Sequence, residues 1–171
     1  LTARATYGAG LQLTSPPVSV VVGYPPAPVL PIFDTLIPAG STWKYWDNVT
    51  AVGAGWQSTG FDDRAWPGAL ARFGYGLDGE ATLLTQGRTT VYFRRWMTVT
   101  NAFVLSELIF RLQRDDGAVV YLNGAEVYRS NMPVGAVTAG ALASTTVNTP
   151  EETLFFETVV SVGALNLITG S

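Results

Sequence analysis

The sequence predicts an all-β protein, and three observations carry that prediction. Short runs of alternating apolar and polar side chains recur along the chain, glycine- and proline-rich turns separate them, and no apolar pattern reaches the roughly 10 residues of an ordinary helix. The two stretches that look briefly helical, residues 61–65 and 162–167, are both too short.

Taken in order, residues 1–7 (LTARATY) alternate, a Gly/Ser/Pro turn region follows, and residues 18–22 form a β-branched run, so two strands are expected. Four prolines within residues 24–31 (YPPAPVLP) favour extended polyproline II, the composition of a semi-rigid linker. Further strands are expected at residues 42–46, 91–99, 105–113, 119–122, 126–129 and 153–160. In residues 105–113 alternation turns Leu108, Phe110 and Leu112 inward and Ile109, Arg111 and Gln113 outward. Residues 114–133, RDDGAVVYLNGAEVYRSNMP, read as a β-hairpin. Its Asn123-Gly124 pair specifies a type I′ turn, because both central residues take positive φ, which asparagine tolerates and glycine accepts without steric cost. About eight strands with connections of varied length favour a two-sheet antiparallel β-sandwich of jelly-roll type over a closed barrel.

Composition narrows the function. The chain has 171 residues, 47% hydrophobic and 12% aromatic, enough for a real core in one main domain. Charged residues are only 13% and the net charge is -3, so the basic footprint that phosphate backbones require is missing and no nucleic-acid partner is expected. There is no histidine, which removes Ser-His-Asp and Cys-His nucleophile pairs and histidine zinc sites and leaves carboxylates for any acid–base work. Cysteine is also absent, which fits either a reducing compartment or a cysteine-poor secreted protein. No apolar run approaches the ~20 residues of a membrane span. The chain begins at Leu1 within a strand pattern and stops just after a turn at Gly170-Ser171, and it is read as a piece of a longer polypeptide.

Gly40-Ser41-Thr42-Trp43-Lys44-Tyr45, Gly60-Phe61-Asp62-Asp63-Arg64-Ala65-Trp66, Gly74-Tyr75-Gly76, Val91-Tyr92-Phe93-Arg94-Arg95 and the hairpin, in that order and spacing, resemble the galactose-binding-domain-like jelly rolls that serve as accessory modules of large secreted bacterial proteins. More distantly they resemble the sugar-binding jelly rolls of β-galactosidase-type glycoside hydrolases. The resemblance covers residues 34–171 and implies a final apolar strand that this chain lacks, leaving a sheet edge or core face uncovered. Residues 1–23 resemble the last strands of a bacterial immunoglobulin-like repeat, with residues 24–33 as the linker. The implied role is extracellular, non-catalytic and accessory, with a glycan and neighbouring domains of the same chain as partners.

Candidate site residues follow from residue type. Trp56, beside Gly55, and Tyr75, in the loop Gly74-Tyr75-Gly76, are the rings best placed for exposure, and flat aromatic faces stack on sugar C–H surfaces; Trp43, Tyr45 and Trp96 are expected in the core. Arg114, Asp115 and Asp116 sit at the mouth of the hairpin, where they can hydrogen-bond a glycan or each other. Asp62, Asp63, Asp78 and Glu80 are loop carboxylates that could hold a structural Ca2+, while Asp62 and Asp63 could equally cap the turn they begin. Arg94, Arg95, Arg111 and Arg114 suggest a polar stripe pairing with Asp115, Asp116 or Glu126. Two alternatives stay open: a structural spacer or adhesion module with every ring buried, and a glycoside hydrolase fragment with two carboxylates facing one cleft.

Overall fold

The computed structural model describes residues 4–6, 12–14, 34–76, 79–99 and 105–165. The protein is all-β, and the chain divides into two compact units, Leu1–Asp34 and Thr35–Ser171. In the first, β1 (Arg4–Thr6) pairs antiparallel with β2 (Gln12–Thr14), Arg4 opposite Thr14. The second strand was expected at residues 18–22, which lie, with the linker at 24–33, outside the described residues. Gln12-Leu13-Thr14 falls inside the expected turn region, yet it carries its own polar–apolar alternation and a β-branched threonine.

In the second unit β3 (Thr42–Trp46) is central, between β4 (Gly68–Leu70) and β7 (Tyr92–Arg94). Lys44 lies opposite Arg94, and Tyr45 opposite Phe93. Period two then sorts the aromatic rings. Tyr45 and Phe93 meet Phe73 at 5.3 and 4.8 Å, while on the other face Trp46 stacks on Trp66 at 5.9 Å and Tyr92 meets Trp56 edge-on at 4.9 Å. Rings on both faces make this the middle of the packing. The strand expected over residues 91–99 stops at Arg94; beyond it the Arg95 guanidinium, rather than a backbone amide, donates to the Thr42 carbonyl.

β5 (Phe73–Gly74) and β6 (Thr82–Leu83) pair in parallel, against the expectation of purely antiparallel pairing. Each is only two residues long, and the intervening loop is pinned by Glu80, whose Oε1 accepts from the Gly76 amide at 2.8 Å. A Cβ on Gly74 would lie 2.7 Å from the Glu80 side chain, so a larger residue there would displace Glu80.

The hairpin is present as read. β9 (Ala118–Leu122) and β10 (Ala125–Ser130) flank Asn123 at φ 51° and Gly124 at φ 87°, and a bulge between Glu126 and Tyr128 adds the residue that shifts the register. β8 (Glu107–Gln113) pairs along its whole length with β11 (Phe155–Ser161). Leu108 is buried while Ile109 is 39% exposed, the alternation the sequence predicts. Short 3-10 turns at Glu151–Thr153 and Val162–Ala164 bracket β11, the first occupying the start of the strand expected at residues 153–160. Among the described residues the most deeply buried apolar side chains are Trp66, Leu108 and Val147, and no helix is long and apolar enough to cross a membrane.

Candidate functional site

The register of β3 against β7 sets Lys44 beside Arg94 on one face, and both reach the carboxylate of Asp63 in the turn that follows Phe61. Lys44 Nζ lies 3.1 Å from Asp63 Oδ1 and Arg94 Nε 2.9 Å from Oδ2. The Asp63 and Arg94 side chains are nearly buried, at 11% and 10% exposure. Burial works to raise the Asp63 pKa, but hydrogen bonds from Arg94 and Lys44 outweigh it and hold the carboxyl below the ordinary aspartate value. The Arg94 guanidinium also donates to the carbonyls of Trp56 and Ser58 and lies over the Phe61 ring at 5.2 Å, tying the loop 56–61 to β7.

Against this ion cluster lies a cleft of about 320 Å³ lined by Trp43, Lys44, Asp63, Arg94, Arg95 and Trp96. Trp96 is 65% exposed there. The expectation that Trp96 is core fails because β7 ends two residues before it: out of the ladder, the ring is no longer held against a facing layer. Arg95 donates to the Thr42 carbonyl, and among the described residues no carboxylate lies within ion-pairing distance of it. The lining holds a single carboxylate, Asp63, kept ionised by two cations.

The residues singled out from sequence are dispersed. Arg114 is 7% exposed and internal: Nε donates to Ser130 Oγ at 3.0 Å, Nη1 to the Asp116 carbonyl at 2.8 Å, Nη2 lies 3.5 Å from Glu151, and the guanidinium stacks over Phe156 at 3.9 Å. Asp116 Oδ1 accepts from the Val147 amide at 2.7 Å, and its carbonyl also takes Asn131 Nδ2. These groups join the hairpin to β8, β11 and the loop 144–147. Asp115, next to them, has its own interactions within the fold. Trp56 is half-buried rather than exposed, because Tyr92 and Tyr121 close on its ring edge-on at 4.9 and 5.6 Å. Tyr75 is exposed as expected, at 48%. The arginine stripe pairs differently from the expectation: Arg94 with Asp63, Arg111 with Glu157, and Arg114 with Glu151, while Glu126 takes Arg129.

The carboxylates expected to hold calcium are engaged by protein groups or lie outside the described residues. Asp63 is shared between Lys44 and Arg94, Asp62 accepts from the amide and guanidinium of Arg64, Glu80 holds Gly76, and Asp78 lies outside the described residues. Among the described residues no three acidic side chains gather around a common point.

Sequence reasoning missed the Trp43–Trp96 cleft because its two sides lie about fifty residues apart and meet only through the β3–β7 register. The available signal was local: Trp43-Lys44 and Arg95-Trp96 each place a ring next to a cation. No protein-family model, curated protein or solved structure matches the chain. The functional reading therefore rests on these residues and their geometry.

Proposed function

We propose that the Thr35–Ser171 unit is a non-catalytic, carbohydrate-binding jelly-roll module of a secreted multidomain protein, and that it binds through the cleft at Trp43 and Trp96. The observation that carries this reading is the exposed Trp96 ring in a cleft that Trp43 also lines, beside the charged groups of Lys44, Asp63 and Arg95. A sugar ring offers an apolar C–H face and a hydroxyl edge, so it needs a flat aromatic surface beside hydrogen-bond donors. Trp96 supplies the first, and Arg95 supplies the second. The non-catalytic part of the reading is supported by the carboxylate inventory: glycoside cleavage uses two carboxyl groups with separated pKa values, and the cleft offers one, held ionised.

The test is tryptophan fluorescence titration and affinity electrophoresis against a polysaccharide panel, with Trp96→Ala as control. Binding by the native chain and a loss of about tenfold or more in Trp96→Ala, equivalent to about 1.4 kcal/mol, is the expected result. A second reading, a structural spacer or adhesion module, is favoured by the internal engagement of Arg114 and Asp116. A stably folded chain that ignores the whole panel would establish it instead.

A further inference from the structure

The cleft is charged against the trend of the molecule. The whole chain carries a net charge of -3, yet the lining brings together Lys44, Arg94 and Arg95 against the single carboxylate of Asp63. Lys44 and Arg94 are both spent on Asp63, and Arg94 is nearly buried. Arg95 is different: it is exposed, and a bond from Nη1 to the Thr42 carbonyl holds the guanidinium at the cleft wall. Among the described residues no other partner takes the Nε and Nη2 edge of the fork, the edge that takes a carboxylate through two parallel N–H···O bonds. The next residue is the exposed Trp96.

We propose that the ligand of this cleft is an acidic glycan, a hexuronate-containing polysaccharide whose ring lies on Trp96 and whose carboxylate is taken by Arg95. The inference rests on the carbohydrate-binding reading above and narrows it. A neutral sugar would leave the local excess of positive charge unanswered, whereas a uronate places its carboxylate one ring substituent from the stacking face. With Lys44 and Arg94 both bonded to Asp63, Arg95 is the group that distinguishes a charged from an uncharged sugar.

The experiment uses the full chain and three polymers: polygalacturonate, the same polymer with its carboxyl groups methyl-esterified, and dextran sulfate as a strong polyanion of different geometry. Affinities are measured by fluorescence titration at low and moderate salt, for the native chain and for Arg95→Gln, Arg95→Lys and Trp96→Ala. Polygalacturonate should bind at least tenfold more tightly than its methyl ester. Arg95→Gln should erase that difference by weakening the acid far more than the ester, Arg95→Lys should restore only part of it, and thermal melts should show that each variant is folded. Equal affinity for the acid and the ester would overturn the acidic-glycan assignment and leave carbohydrate binding standing. Binding of dextran sulfate as tight as that of polygalacturonate would overturn it too, since charge alone would then account for the affinity. No binding of any polymer, together with silence across the neutral panel, would remove the carbohydrate reading itself.

Discussion

Asp63 holds together three segments that are far apart in sequence: β3 through Lys44, β7 through Arg94, and its own turn. Because Arg94 and Asp63 are both nearly out of water, removing the carboxylate leaves a guanidinium with backbone carbonyls but no counter-charge. Asp63→Asn should therefore destabilise the fold by about 3 kcal/mol in urea unfolding, whereas Asp62→Asn, whose partner Arg64 is 90% exposed, should leave the unfolding midpoint nearly unchanged. Gly124 illustrates a different residue-scale constraint. A Cβ there would meet only the Gln57 carbonyl and Ser58 Cα at 3.9 Å, ordinary contact, so the obstacle is φ at 87°. Gly124→Ala should cost about 1–2 kcal/mol through backbone strain alone, while Asn123→Gly should cost much less; chemical denaturation of the pair separates strain from lost contacts.

Among the elements, β8 and β11 show how far alternation can be trusted. Leu108, Phe110 and Leu112 turn inward as their positions predict, and the outward row is made coherent by cross-strand pairs the sequence does not announce, Arg111 with Glu157 and Ile109 with Val159. Leu108→Ala should lose about 2–4 kcal/mol by transfer and cavity terms, while Ile109→Thr, one residue on, should stay within about 0.5 kcal/mol. Similar losses at the two positions in equilibrium unfolding would contradict the face assignment. The hairpin was legible because an Asn-Gly turn is specified by two adjacent residues. β4, β5 and β6 were not, because strands of two or three residues hold too few side chains to display a period and exist only through their partners.

For the molecule as a whole, the direction of its acid response follows from its ion pairs. Asp62, bonded by the Arg64 backbone and side chain, Asp63, and Glu126, bonded by Arg129, all have pKa values held below their ordinary ones. A lowered native pKa contributes stability that is present above the unfolded value of about 4 and is lost as pH falls through the native value. The melting temperature should thus decline as pH is lowered from about 5 towards 2, most of it through the nearly buried Asp63, and the decline should be shallower in Asp63→Asn. A native melt that is flat across that range would show that these pairs contribute nothing net.

The all-β class, the hairpin with its turn, and the inward row of β8 could be determined from the sequence alone, because each depends on period or on backbone preference within a few consecutive residues. Tertiary structure decided the rest. Whether an arginine is a ligand group or a strut, and whether a tryptophan is core or surface, depends on what faces it from another segment. Arg114 became a strut because Ser130, Glu151 and Phe156 close around it, and Trp96 became surface because its strand ends at Arg94. The cleft arose the same way, when the β3–β7 register brought Trp43 and Lys44 to Arg95 and Trp96, since burial and charge pairing are properties of neighbours in space that residue type and spacing do not encode.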